Sequence, residues 1–340
     1  MSVKLKKLRD QVIVITGASS GIGLTTAEMA AQAGARVMLS SRNEQDLRSA
    51  VEDIRARGGE AAYHVADVAD ERAMEQLAER TTREYGGIDT WVNNAGVSMY
   101  GRLEDSPMED KRRLFDVNFW GVVNGSKAAL PHLKRNGGAL INIGSVLSDI
   151  PVPVQGIYAA SKHALKAYTS SLRMELANEA VPVSVTLVKP SAIDTPYTEH
   201  ARSHMAEEPG LPAPAYAPEV VARAILRCAE KPVREITVGG AGRFQILLHT
   251  LAPSLAEAFI QRAMPAQMKR NEPSDERDSL YRPMSGRRRY GPYSGRVMQS
   301  SAYTRAALSD VARVLPVLAL GAGLVALSRR RRPGTVSVAA

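Results

Sequence analysis

The stretch TGASSGIG, Thr16 to Gly23, stands directly after the β-rich run Val12–Thr16 and ahead of a helical pattern from about Gly23 to Ala33. Strand, glycine turn and helix in that order are the context of a phosphate-binding loop. With no Cβ at Gly17, Gly21 and Gly23, the backbone can turn sharply and approach a pyrophosphate closely. The helix beyond offers N–H groups and the positive end of its dipole. Thr16, Gly17, Ser19, Ser20, Gly21, Ile22 and Gly23 are therefore expected to line a dinucleotide site. The spacing is G-x-x-x-G-x-G rather than the commoner G-x-G-x-x-G, so the turn alone also fits a purely structural role.

Outward from this turn, strand and helix patterns alternate. Strands are expected at Arg36–Ser40, Ala61–Val65, Thr90–Val92, Ala139–Ile143 and Val183–Leu187, with a helix over about Glu44 to Arg57 and further helices between the later strands. Such alternation predicts an α/β fold, a doubly wound parallel sheet with helices on both faces. Right-handed crossovers then gather the strand ends along one edge. The second strand ends in MLSSRN. An acidic residue there would bind a ribose 2′-hydroxyl and repel a 2′-phosphate. Ser41 and Arg42 stand there instead, and a guanidinium beside a hydroxyl suits a 2′-phosphate, which predicts NADPH in preference to NADH. Asp67, beside Val68 at the end of the third strand, could accept from an adenine amino group. NNAG, Asn93 to Gly96, ends the fourth strand and places Asn94, Ala95 and Gly96 either against the cofactor or in a stabilising turn.

Tyr158 and Lys162 are four residues apart in YAASKHALKAY, so they share one face of a helix. An ammonium near a phenol favours the phenolate and is expected to lower the tyrosine pKa toward the range useful for proton transfer. Tyr and Lys at this spacing also occur on ordinary amphipathic helices. What singles out this pair is Ser145, at the end of the strand in INIGS, on the same sheet edge as the glycine turn.

TGASSGIG, NNAG, Asn118 in DVNFWG, Ser145 and YAASK, in this order, resemble the short-chain dehydrogenase/reductase family over about residues 8–240. The resemblance implies a Rossmann-type fold with the active site inside one domain. It implies Tyr158 as general acid and base, Ser145 as hydrogen-bond partner of the substrate oxygen, and Lys162 as ligand of the nicotinamide ribose. Asn118 would hold a water in a proton relay through Lys162. In PSAIDT, Pro190, Ile193 and Thr195 would lie at the nicotinamide amide, although Ser191 stands where the family commonly has glycine. The implied activity is hydride transfer between NADP(H) and a carbonyl or secondary alcohol, small or lipophilic, in a homo-oligomer built through helices that include the one carrying Tyr158. The alternative is a non-catalytic NADP(H)-binding sensor or scaffold at a membrane, which would have no need of Ser145, Tyr158 and Lys162.

The charge is uneven. The 340-residue chain has a net charge of +9, and residues 266–340 hold 14 Lys+Arg against 5 Asp+Glu, so the preceding part is neutral. The basic balance therefore says nothing about the substrate. Cys228 is the single cysteine, which excludes an intramolecular disulfide framework, fits a reducing compartment, and places the thiol in a buried helix face. The N-terminus MSVKLKKLRDQ lacks an apolar stretch, so the catalytic part is expected in the cytoplasm. His200 and His204 have no third ligand in sight and are read as solvated residues of a substrate-covering segment, 196–217, with no metal.

The expected organisation is an NADP-binding catalytic domain over 1–243, an amphipathic apolar segment over 244–265 split by Pro253, a solvated Arg/Ser/Pro-rich linker over 266–305, and a largely irregular or helical extension ending in a membrane-associating helix and basic tail over 306–340. In the last, VLPVLALGAGLVAL (314–327) has 14 uncharged residues followed by Arg329 to Arg332. At about 1.5 Å per residue it reaches about 21 Å of a roughly 30 Å hydrocarbon core, short for a straight span. The arginines suit an anionic membrane surface through residues 306–332. No nucleic-acid module accompanies RRRY (287–290) or RRRR (329–332).

Overall fold

The computed structural model describes residues 3–263, 268–273 and 278–309. Seven parallel strands form one sheet: β1 Val12–Thr16, β2 Arg36–Ser41, β3 Glu60–Val65, β4 Thr90–Asn93, β5 Gly138–Ile143, β6 Val183–Pro190 and β7 Glu235–Val238. Their order across the sheet is β7-β6-β5-β4-β1-β2-β3. The chain leaves β1 toward β2 and β3, then returns to place β4 on the other side of β1. The crevice between β1 and β4 is thus the topological switch point, where open α/β sheets bind ligands.

The central strands read as continuous apolar runs because both faces are covered. All five residues of β1, VIVIT, are buried. Helices α1 Gly21–Gln32, α2 Glu44–Ala56 and α7 Pro218–Glu230 cover one face, around Ile13, Ile15, Leu39, Val221 and Ile225. Helices α3 Glu71–Tyr85, α5 Gly121–Asn136 and α6 Gly156–Asn178 cover the other, around Val14, Met38, Leu77, Trp91 and Leu140. The short α4 Met108–Phe115 runs into α5 through one wider turn at Asp116–Trp120. Cys228 is buried in α7.

The apolar segment after the sheet forms two helices, α8 Gly240–Leu251 and α9 Pro253–Ala263, broken at the expected proline. The boundary drawn at residue 243 falls inside α8, so this segment continues directly from the sheet. Phe244, Leu247, Leu251, Leu255 and Phe259 are exposed on the pair.

The solvated linker expected over 266–305 is corrected by the described parts of that stretch. Met268–Pro273 pairs antiparallel with Glu207–Pro209, and Val297–Met298 pairs with Ala215–Tyr216. Leu280 is fully buried, and Ser279, Ser301 and Thr304 are buried with it. A hydropathy reading misses this packing because hydrogen bonds and ion pairs hold most of it. The segment 314–327 lies outside the described residues. Among those described, no helix is long and apolar enough to cross a membrane.

Candidate active site

The glycine turn closes the C-terminal end of β1. Gly17 has φ +65°, a conformation that favours glycine. A Cβ at Gly23 would stand 2.2 Å from the Gly17 carbonyl oxygen and 2.6 Å from Asn94 Nδ2. The turn is locked to the end of β4. Thr16 Oγ1 accepts from the N–H groups of Asn94 and Ala95 at 3.0 and 3.1 Å, and Asn94 Nδ2 donates to the Thr16 and Gly17 carbonyls at 2.9 and 3.2 Å. Asn93 is structural: its amide joins Trp91, Ser126 and Asn142 beneath the sheet edge.

Two adjoining cavities open along this edge. One is lined by Gly17, Ser19, Ser20, Ser41, Arg42, Asp67 and Val68 among others. The second is lined by Ser145, Tyr158, Lys162, Pro190 and Ile193. Ile22, Asn94, Gly96, Thr195 and Tyr197 border both, so the two form one trench. Gly96 keeps the trench open at its middle: a Cβ there would stand 3.3 Å from Asn118 Oδ1 and 3.7 Å from Lys162 Nζ. Bare backbone on the floor, small hydroxyls and a cation at one end fit an elongated phosphate-bearing dinucleotide. Among the described residues, no group of three or more His, Cys, Asp or Glu could hold a metal.

Ser145 and Tyr158 arrive from different elements. Ser145 caps a tight turn after β5, where its Oγ accepts from the Leu147 N–H at 3.1 Å. Asp149 pins that turn by pairing with Lys166 of α6 and with the buried Lys189 at the end of β6. Tyr158 and Lys162 lie one turn apart on α6 as expected, both buried. The phenol is hydrogen-bonded by Ser145 and by Tyr197. Tyr197 packs edge-on to Tyr158 with ring centroids 5.8 Å apart, and its Oη also accepts from Ser98 Oγ at 2.7 Å and from Gln155 Nε2 at 3.2 Å. Lys162 Nζ donates to the Ile143 carbonyl at 3.0 Å and lies 5.7 Å from the centre of the Tyr158 ring.

The expected fall in the Tyr158 pKa is not seen. Burial pushes the phenol up, and the hydrogen bonds from Tyr197 and Ser145 only partly offset it. The lysine is the group that shifts down, to about 8, because its ammonium is buried. Sequence spacing placed the two groups correctly but carried no information on how dry their surroundings are.

Asn118 sits in the wide turn between α4 and α5, fully buried. Its Oδ1 accepts from the Val97 N–H at 2.8 Å, and its Nδ2 donates to the Val97 carbonyl at 2.9 Å. It therefore buttresses the loop after β4 as well as bordering Gly96 and Lys162.

At the other end, Arg42 departs from the simple expectation. Its guanidinium donates to the Leu280 carbonyl at 3.2 Å and, more closely, to the Ser279 carbonyl, while still lining the cavity. Asp67 pairs with Arg113 and accepts from the Ala69 N–H at 3.0 Å. Burial raises this carboxyl, but the Ala69 amide and the Arg113 cation together bring it below its ordinary value. The sequence reading missed Arg113, Tyr197 and the segment after residue 278, which no spacing or periodicity ties to the motifs. It also misread the two histidines as solvated. His204 Nε2 meets the buried Asp110 at 2.9 Å, and burial lowers the pKa of His200.

The sheet order, the glycine turn at the switch point and the joined cavities define a doubly wound α/β protein with a ligand trench at its switch point. The family profile described as short chain dehydrogenase matches residues 11–206, and the chain belongs to that family. It is 43% identical over 335 residues to "Uncharacterized oxidoreductase YxnA" of Bacillus subtilis (strain 168), covering 97% of this chain and 93% of that one, so the likeness extends into the C-terminal segment. It is 32% identical over 265 residues to "Dehydrogenase/reductase SDR family member 7B" of Xenopus tropicalis, covering 74% of this chain and 85% of that one. Among solved structures, it resembles an alcohol dehydrogenase from the archaeon Thermococcus sibiricus complexed with 5-hydroxy-NADP, at TM-score 0.60 and 28% identity, over 67% of this chain and 95% of that one. A short chain dehydrogenase/reductase from Burkholderia phymatum in complex with NAD shares the fold at TM-score 0.65 and 24% identity, over 84% of this chain and all of that one. The protein is thus an oxidoreductase of the short-chain dehydrogenase type.

Proposed function

We propose that the protein is an NADP(H)-dependent reductase of lipophilic carbonyl compounds, working in reverse as a secondary-alcohol dehydrogenase. The observation that carries this reading is the convergence of Ser145, from the turn after β5, and of Tyr158 and Lys162, from α6, on the trench that begins at the glycine turn. The dinucleotide supplies the hydride. Ser145 and Tyr158 hydrogen-bond the substrate oxygen, and Tyr158 delivers a proton to it as negative charge develops. Lys162 holds the ribose hydroxyls and, with Asn118 nearby, replenishes that proton. Ser41 and Arg42 receive the 2′-phosphate, Asp67 and Val68 border the adenine, and Pro190, Ile193 and Thr195 position the nicotinamide amide.

The substrate class follows from the second cavity, whose outer wall is apolar: Tyr100, Leu147, Ile150, Val152, Phe259 and Ile260 face it. A pocket of this composition favours an apolar body with one polar atom aimed at Tyr158. We further place residues 1–263 in one catalytic unit, since α9 supplies part of this wall, and expect a homo-oligomer through the α5–α6 face, where Trp120 and Met174 are exposed. Light scattering on the purified protein checks the last point.

The deciding experiment follows NADPH and NADH oxidation over a panel of ketones, aldehydes and lipid carbonyls, with Tyr158→Phe alongside. NADPH-dependent turnover that disappears in the variant supports the reading. Dinucleotide binding with no turnover on any substrate would favour a sensor or scaffold instead.

A further inference from the structure

The segment Asp278–Gly291 crosses the mouth of the nucleotide cavity and touches it at several points. The Ser279 and Leu280 carbonyls accept from Arg42, and the Leu280 carbonyl also accepts from Arg113 Nε at 3.1 Å. The Met284 carbonyl accepts from Asn43 Nδ2 at 3.1 Å. The Arg288 carbonyl accepts from the Gly21 N–H, at the very start of α1, at 2.9 Å. Gly291 N–H donates to Asp194 Oδ1 at 3.1 Å, next to Thr195. Between these anchors Ser279, Pro283 and Met284 face the same cavity that Gly17, Arg42 and Asp67 line from the opposite side. The segment therefore roofs the cavity and leaves its interior open.

We propose that residues 278–291 are part of the cofactor site, a clasp over the adenosine and 2′-phosphate end of the bound dinucleotide that must lift for the cofactor to enter or leave. This rests on the cofactor reading above. Two features favour an anionic occupant under the roof. Arg42 is held by carbonyl oxygens, which orient a guanidinium without neutralising it. Arg113, near it, is paired with Asp67 and adds N–H donors rather than net charge. The outer fastenings of the clasp lie away from the cavity: Arg287 with Asp53, Arg288 with Glu199, Arg289 with Glu28 and Glu219, and Tyr290 Oη with Glu219. Solvent-screened pairs of this kind are individually weak. Several together can hold a segment closed and still release it without unfolding the sheet.

The test compares NADPH release from the full-length wild type with release from full-length Arg287→Ala/Arg289→Ala/Tyr290→Phe, by stopped-flow fluorescence. Arg287 and Arg289 lose only their ion pairs, Tyr290→Phe keeps the ring that packs against the core and removes its hydroxyl alone, and circular dichroism checks that the variant folds. Loss of three weak fastenings should speed release by about tenfold. A second measurement needs no variant: saturating NADPH should slow trypsin cleavage after Arg287, Arg288 and Arg289 in the wild type. Equal release rates, or cleavage that NADPH leaves unchanged, would overturn the clasp while leaving the cofactor reading intact. Failure of the wild type to bind either NADPH or NADH would instead overturn the cofactor reading, and the clasp with it.

Discussion

Residues 12–238 and residues 278–309 lie against each other, yet different forces keep them in place. The first region buries Ile13, Ile15, Leu39, Trp91, Leu140 and dozens of further apolar side chains in two layers around the sheet. In the second, Leu280 is the one fully buried apolar side chain, Tyr290, Val297, Ala307 and Leu308 are partly buried against the core, and backbone carbonyls, arginines and serine caps carry many of the other contacts. Apolar burial is cooperative and insensitive to salt, whereas exposed ion pairs are weak and screened. The sheet is therefore expected to set global stability, and the C-terminal segment to open locally at much lower cost.

The comparison can be broken most sharply at the chemistry. If Tyr158 is the proton donor as proposed, Tyr158→Phe should lower turnover by about 10²–10⁴-fold, with folding and NADPH affinity retained. If affinity fell in parallel, Tyr158 would be a binding residue and the assigned role would be wrong. Next in size, Leu39→Ala in β2 should lower unfolding stability by about 2–5 kcal/mol in urea, because a cavity opens in a packed core. The matching Leu280→Ala should leave the global urea midpoint within about 0.5 kcal/mol, while amide exchange around residues 278–284 speeds up. A midpoint shift as large as that of Leu39→Ala would unite the two regions in one cooperative unit.

The pH dependence sharpens the comparison within the sheet region. Lys162 titrates near 8 in the folded protein, below its ordinary value, because of burial. Loss of its charge should lower kcat/KM for reduction as pH rises through about 8, and Lys162→Arg should move that limb upward. The stability effect has the opposite sign. Below pH 8 the folded protein carries a buried ammonium at a cost. Between pH 8 and the ordinary lysine value near 10.4 the unfolded chain binds more protons, so this group's contribution to stability rises with pH. Arg42→Ala should weaken NADPH binding by about tenfold more than it weakens NADH binding, as calorimetry would show. The smallest effect belongs to Arg289→Ala, at or below about 1 kcal/mol, and it should vanish when the salt concentration is raised.

How far each part could be read in the sequence follows the same division. The strands appear as apolar runs bounded by glycine or asparagine, and all five expected after β1 begin within one residue of where they lie. Gly17 and Gly23 marked a sharp turn, and Ala95, Asn94 and the Gly17 carbonyl fill the space that a Cβ at either position would need. Tyr158, Lys162 and Ser145 were legible because fixed spacing on α6 and a strand end on a common edge constrain them. The strap over residues 278–291 was not. Its arginines and prolines look like those of any solvated chain, since a carbonyl that accepts from Arg42 or Gly21 leaves no mark on residue type.

The sequence by itself determined the parallel sheet, the glycine turn and the placing of Ser145, Tyr158 and Lys162 along one sheet edge, because apolar periodicity and local spacing encode them over a few residues. Tertiary structure alone decided that burial raises Tyr158 and lowers Lys162, that Tyr197 joins the phenol, and that the C-terminal segment roofs the nucleotide cavity. Each of these depends on what distant segments bring to one place, and desolvation and hydrogen bonds from side chains to backbone carbonyls more than two hundred positions away have no counterpart in the order of the letters.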